Sequence, residues 1–159
     1  MQELMAIAEW LAERLRARGE TVAVAESSAG GLIAAALLAQ PGASAFFVGG
    51  AVVYTQQARE ALLGITPAEM AGIRSASEPY ALLLARTLRA RLGTTWGLAE
   101  TGAAGPAGNR YGDAPGHSCL AVSGPAELVR TLETGVADRS ANMRSFGAAA
   151  LALLAETVG

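Results

Sequence analysis

The chain of 159 residues contains no lysine, and all 12 of its basic residues are arginine. A Walker A phosphate loop needs a lysine to reach the phosphates, so that reading is excluded, as are a lysine Schiff base and a lysine general base. There is one cysteine, Cys119, and one histidine, His117. A single thiol excludes an intrachain disulfide and a cysteine zinc cage, and a single imidazole excludes a histidine-rich metal site. The scarcity of cysteine fits a reducing compartment, so a cytoplasmic location is expected. Charged residues make up only 16% of the chain, with a net charge of −2. That leaves no basic footprint for nucleic acid and no polybasic arm for an anionic membrane, and neither partner is expected. Glu3, Glu9 and Glu13 interrupt any targeting-peptide pattern. Residues 27–58 carry no charge at all, but Gln40-Pro41-Gly42 divides them. Neither half offers the roughly 18 consecutive apolar residues of a membrane span.

What the chain has in quantity is apolar residues, 52% of the total, with 36 alanines among them. Such a length and composition suit one domain over residues 1–159 with its own core. Leu4, Ile7, Ala8, Leu11 and Leu15 recur at helical spacing up to a stop at Gly19. Thr21 to Ala25 reads as a buried strand, 26–31 as a turn and Leu32 to Ala39 as a helix. Ala45 to Tyr54 reads as a strand with a bulge or bend at Gly49-Gly50, and Gln56 to Leu63 as a short helix ending at Gly64. Thr66-Pro67 starts a brief helical turn. Ser77 caps a helix that runs to about Leu92 and stops at Gly93. Thr95 to Ala99 is a strand, residues 102–116 a glycine-rich loop, and 117–123 and 128–134 a hairpin about Gly124-Pro125. Asp138 or Ser140 caps a final helix to about Thr157. Strands alternating with helices, then a late hairpin, predict a three-layer α/β/α sandwich with a mixed, mostly parallel sheet.

Four places carry candidate chemistry. The turn Glu26-Ser27-Ser28-Ala29-Gly30-Gly31 follows a strand and opens a helix. A serine there is a nucleophile candidate beside the positive end of a helix, and the two glycines let a substrate approach the backbone. The same serine also reads as a plain N-cap in a tight turn. Thr101-Gly102-Ala103-Ala104-Gly105-Pro106 follows a strand, where open α/β sheets gather ligands, and its N–H groups suit an anion; it reads equally as a surface loop. Tyr54 and Thr55 end a strand with Arg59 one helical turn on, which brings all three to one site or leaves a packed tyrosine and a solvated arginine. Arg139 and Arg144 flank the start of the last helix, against its dipole, which points to an anionic ligand or to pairing with Asp138 or Glu133. His117 titrates near neutrality at a loop-to-strand junction and reads as packing first.

Together and in order these segments resemble the CinA C-terminal domain family, whose active members are nicotinamide-mononucleotide (NMN) amidohydrolases. The family pattern Ala-Glu-Ser-Cys-Thr-Gly-Gly is met by Ala25 to Gly31, with Ser28 for Cys and Ala29 for Thr. Tyr-Ser-Asn-Glu-Ala-Lys is met by Tyr54 to Arg59, followed by Leu63-Gly64-Ile65. Val-Ser-Glu-Pro is met by Ala76 to Pro79, and Thr-Gly-Ile-Ala-Gly-Pro by Thr101 to Pro106. Pro-Val-Gly-Thr is met loosely by Ala114 to His117, and Gly-Asp-Arg by Ala137 to Arg139. The resemblance covers nearly the whole chain. Many family members carry an additional molybdopterin-binding-like domain, so this chain is expected to be a stand-alone form.

The resemblance implies hydrolysis of the NMN carboxamide to ammonia and nicotinate mononucleotide through a serine nucleophile and an acyl-enzyme, with no metal and no cofactor. Carried over by position, Ser27 is the nucleophile. Tyr54, Thr55, Thr101 and Gly102 shape the carbonyl site, and Ser28, Gly30, Gly31, Ala103 and Gly105 line the substrate. Arg139, with Arg144, holds the phosphate. One departure bears on mechanism: Arg59 stands where the family lysine activates the serine. A guanidinium, with a pKa of about 13 or more, accepts no proton in a protein, and a positioned general base is worth about 100- to 10,000-fold. Arg59 can still lower the pKa of a neighbouring hydroxyl or steady an oxyanion, and His117 is one candidate for the missing base; the alternative reading is a degenerate module that binds a nucleotide or related small molecule without turnover. A chain this apolar and weakly charged is also expected to form a homo-oligomer, a dimer in the simplest case.

Overall fold

In the computed structural model, which describes residues 1–159, five helices cover both faces of one five-stranded sheet. The elements in chain order are α1 (Gln2–Arg18), β1 (Val22–Glu26), α2 (Leu32–Leu38), a 3-10 turn (Ala43–Ala45), β2 (Phe47–Val52), α3 (Gln56–Leu63), α4 (Glu78–Leu92), β3 (Trp96–Ala103), β4 (His117–Ser123), β5 (Leu128–Glu133) and α5 (Arg139–Val158). The sheet order is β2-β1-β3-β4-β5. β1 is parallel to β2 and to β3, while the β3–β4 and β4–β5 pairs are antiparallel. Only β4 therefore opposes the common strand direction. This is the mixed three-layer α/β/α sandwich expected from the sequence.

The alternation of side chains along the central strands sorts the core into two unequal layers. Val22, Val24, Trp96, Leu98, Leu120 and Val122 face α1, α2 and α5, where Phe46, Phe146 and Leu151 complete the larger cluster. The opposite face presents Ala23, Ala25, Ala99 and Ala121 to Leu84, Ala85 and Leu88 of α4. Small side chains on that face let α4 lie close to the sheet. At Gly97 an added Cβ would sit 2.2 Å from the Ala85 carbonyl oxygen.

Helix ends follow their local signals. Gly19, Gly64 and Gly93 take left-handed C-cap conformations. Thr55, Ser77 and Asp138 accept the N–H groups of Ala58, Tyr80 and Ala141. Thr66 and Glu69 cap one another around a single turn closed by Met70 N–H to the Thr66 carbonyl. The bulge expected near Gly49-Gly50 falls at Val48, where the β1–β2 register shifts. Several strand ends move by a residue or two, with β2 closing at Val52 so that Tyr54 lies just past it, and two boundaries differ for a clear physical reason. β2 begins at Phe47 because residues 43–45 form the 3-10 turn. β3 runs on to Ala103, so Thr101, Gly102 and Ala103 are strand residues paired with Cys119, Ser118 and His117. Pairing with β4 overrides the turn preference of Gly102. No helix is long and apolar enough to cross a membrane.

Candidate functional site

β1 stands between β2, reached through α2 on one face, and β3, reached through α4 on the other. Such a reversal opens a crevice at the carboxyl ends of parallel strands. A cavity of about 200 Å³ lies there. Ser27 enters it from the end of β1, Tyr54 and Thr55 from the end of β2, Arg59 from α3, and Thr101 and Gly102 from β3. Segments more than 70 residues apart in sequence, 27 and 101, thus share one wall.

The Ser27 loop is held from behind by two carboxylates. Glu100 accepts Ser27 N–H (3.1 Å), Ala29 N–H (2.7 Å), the Ser28 hydroxyl (2.5 Å) and the Ser118 hydroxyl (3.2 Å). Glu26 accepts Gly31, Ile33 and Ala34 N–H at 3.1, 2.9 and 2.9 Å. Both glutamates are buried, and neither has a cation against it. Burial pushes both carboxyls above their ordinary range, against the pull of the donors, and Glu100 raises Glu26 further. The positive end of α2, read from sequence as free for an oxyanion, is therefore occupied by Glu26. The physical reason is that Gly31 at its N-cap has no side chain to accept these N–H groups. The Ser27 hydroxyl makes no hydrogen bond within the protein and is left to the cavity.

Arg59 donates Nη1–H to the Ser75 hydroxyl (2.9 Å), and its guanidinium lies 5.2 Å from the centre of the Tyr80 ring. Burial raises the Tyr80 phenol, with Arg59 opposing. Arg139 donates to the Tyr54 hydroxyl (3.0 Å) and the Gly105 carbonyl (2.6 Å). It pairs with neither Asp138, which caps α5, nor Glu133. Thr101 Oγ1 accepts Ala76 N–H at 3.3 Å, and Ala76 holds a positive φ of 54° on the cavity wall. The Ala76 carbonyl accepts from His117 Nε2 (2.8 Å), which also lies 3.5 Å from Asp113 Oδ2, and His117 Nδ1 meets Glu133 at 2.5 Å. Burial disfavours the imidazolium, but Glu133, the Ala76 carbonyl and Asp113 outweigh it, and the His117 pKa is raised. His117 sits behind Ala76 with both nitrogens facing acceptors and does not line the cavity, so it is no base for Ser27.

Several expected site residues lie elsewhere. Ser28 turns into Glu100. Gly30 packs against Met143, and Gly31 begins α2. Ala103 is paired in β3, and Gly105 backs onto the Ala137 carbonyl. Arg144 is exposed on α5, away from the cavity. Conversely, Val53, Gln56, Ser75, Ala76, Tyr80, Asn109 and Tyr111 line the cavity although no local sequence signal marks them as site residues. All three tyrosines of the chain now converge on it. A glutamate at position 100 inside an otherwise apolar strand was the available signal for the buried pair. No three His, Cys, Asp or Glu side chains gather to hold a metal ion.

The profile of the CinA C-terminal domain matches residues 4–158. A CinA-like protein of Myxococcus xanthus is 41% identical over 136 residues, which is 86% of this chain and 32% of that protein. One from Anaeromyxobacter dehalogenans is 43% identical over 145 residues, 89% of this chain and 35% of that protein. The chain thus spans about a third of the length of these curated relatives. The crystal structure of a competence-damaged protein (CinA) superfamily protein from Escherichia coli superposes with a TM-score of 0.90 at 25% identity, covering 97% of this chain and 90% of that one. The competence/damage inducible protein CihA of Agrobacterium tumefaciens superposes at 0.89 with 28% identity, covering 97% and 94%. Sequence profile, relatives and architecture agree, and the chain belongs to the CinA C-terminal domain family.

Proposed function

We propose that the chain is an amidohydrolase acting on the carboxamide of a pyridine mononucleotide, NMN, with Ser27 as nucleophile. The observation that carries this reading is the convergence, on one cavity, of the three segments that match the family motifs, 25–31, 54–59 and 101–106. An unpartnered serine hydroxyl in a strand-to-helix turn is the arrangement of an acyl-transfer nucleophile. At about 200 Å³ the cavity is below the usual range of drug-sized sites, roughly 300–1,000 Å³. It suits the carboxamide ring, with the ribose phosphate at the mouth near Arg139, which has no carboxylate partner. Arg59 cannot deprotonate Ser27, but its fixed charge favours the oxyanion that forms on attack. The proposed serine mechanism uses no metal or cofactor, and the single cysteine supports a cytoplasmic setting for it.

Ammonia release from NMN by wild type, Ser27→Ala and Arg59→Lys tests this. Wild-type turnover that falls about 1,000-fold or more in Ser27→Ala supports the serine mechanism. The second reading, a module that binds the nucleotide without turnover, is favoured by Arg59 itself. It predicts NMN binding with a silent wild type, whether or not Arg59→Lys restores activity. Val48 and Val52, half exposed on the edge strand β2, support the homodimer. A monomeric mass by sedimentation equilibrium refutes it.

A further inference from the structure

We propose that Tyr111 is the proton acceptor for Ser27, the role that Arg59 is chemically unable to fill; this rests on the amidohydrolase reading above. No aspartate, glutamate, histidine, cysteine or lysine lines the cavity. The groups there that can take up a proton and return it are the phenols of Tyr54, Tyr80 and Tyr111. Tyr80 is buried, which favours its neutral form. Tyr54 is 59% exposed and meets one arginine, Arg139, through its hydroxyl. Tyr111 differs from both. Its hydroxyl accepts from Arg110 at 3.0 Å, and the guanidiniums of Arg74 and Arg110 each stand 5.1 Å from its ring centre. Ser75 lies against it and in turn accepts from Arg59. Three arginines therefore bear on one phenol, directly or through a hydroxyl. Asp113 is the one carboxylate nearby, and it is engaged by Arg74 at 2.7 Å. The net effect lowers the Tyr111 phenol below the ordinary tyrosine range, chiefly through Arg110, with burial opposing and Ser75 adding to it.

The phenol is also held in place. Asn109 Oδ1 accepts the N–H groups of Tyr111 (3.0 Å) and Asp113 (3.1 Å), while its Nδ2 donates to Asp113 Oδ2 (2.8 Å). Arg74 then ties Asp113 to the segment leading into α4. The glycine-rich loop is thereby closed on itself over Asn109 to Asp113 beside the cavity.

In the proposed step, the Tyr111 phenolate takes the Ser27 Oγ–H proton, across a water where the cavity is wet. Oγ bonds to the carboxamide carbon and the carbonyl π pair moves onto oxygen. Collapse re-forms the carbonyl and breaks the C–N bond, and the proton passes from Tyr111 to the departing nitrogen as ammonia. Water then attacks the acyl-enzyme, giving its proton to Tyr111, and that proton returns to Ser27 Oγ as the acid leaves. Atoms and electrons balance without any co-reactant beyond water.

The test uses a sulfonyl fluoride, which labels an activated serine without reference to the natural substrate. Labelling is followed by intact mass and assigned to Ser27 or to a tyrosine by peptide mass mapping in wild type, Ser27→Ala, Tyr54→Phe and Tyr111→Phe, from neutral to alkaline pH, beside ammonia release from NMN. Thermal melting confirms that each variant is folded. The expected result is labelling of wild type at Ser27 that rises with the ionisation of Tyr111, read independently by tyrosinate absorbance. Tyr111→Phe should slow both labelling and turnover by about 100-fold or more and lose that limb of the pH profile. A merely structural role would not move the pH profile. Tyr111→Phe that labels and turns over within about threefold of wild type with an unchanged profile overturns the proposal and leaves the amidohydrolase reading standing. Loss confined to Tyr54→Phe, or a wild-type serine that does not label, also overturns it. Tyr111-dependent labelling with no ammonia from NMN upholds the pairing and fails the substrate reading instead.

Discussion

Replacing Glu100 separates the hydrogen-bonding role of this buried carboxylate from its charge. Glu100→Ala strands the N–H groups of Ser27 and Ala29 and the hydroxyl of Ser28, while the Ser118 hydroxyl keeps a contact to the Thr101 carbonyl at 3.3 Å. Each buried donor without a partner costs about 1–3 kcal/mol. Three such groups, less the gain from removing a desolvated charge, give a loss of roughly 3–5 kcal/mol. In a chain of this size that is a drop of roughly 10 °C or more in Tm. Glu100→Gln behaves differently. Its oxygen accepts the two backbone N–H groups, and its amide donates to the Ser28 and Ser118 hydroxyls, which rotate. Stability should then stay within about 1 kcal/mol of wild type at neutral pH. The sign of the pH dependence follows from burial. A carboxyl whose folded pKa is raised contributes stability that is fully present below its unfolded value of 4.5 and is lost as pH rises through the folded one. Wild type therefore improves relative to Glu100→Gln on acidification. Chemical denaturation of the three proteins at neutral and mildly acid pH measures all of this. An alanine variant as stable as wild type, or a glutamine variant as damaged as alanine, would refute the reasoning.

Three further outcomes are expected. Gly97→Ala places a methyl 2.2 Å from the Ala85 carbonyl oxygen and should destabilise by about 1–3 kcal/mol, read by urea denaturation, because backbone must move to admit it. His117→Gln should flatten the alkaline side of the stability profile. The raised pKa of His117 gives wild type stability that is complete below about pH 6.5 and fades as pH rises through the folded value, at no more than about 1.4 kcal/mol per pH unit. Arg139→Ala releases Tyr54, which lines the cavity, and the Gly105 carbonyl, and removes the cation beside Tyr54. KM for NMN should rise about tenfold or more with a smaller change in kcat, whereas an unchanged KM would remove Arg139 from the phosphate site.

Local signals in the chain determined a good deal. Glycines 19, 64 and 93 stop helices because each takes a left-handed cap, and Ser77 and Asp138 start them by accepting an N–H three residues on. Apolar spacing set the order of strands and helices, and the identity of residue 59 as arginine settled that it cannot accept a proton. These properties depend on neighbours within a turn or two, so they survive without knowledge of the fold. Tertiary structure alone decided the destinations of Glu26 and Glu100, the turning of Ser28 into Glu100 and away from the cavity, and the arrival of Tyr80 and Tyr111 in the cavity that Ser27 lines. Each of these depends on which strand lies next to which and in what register. The bond from Ser28 to Glu100 crosses 72 residues. It exists because β3 runs beside β1 in parallel, which places Glu100 under the turn that follows Glu26. Periodicity does not encode that adjacency; the packing of helices on both faces of the sheet imposes it.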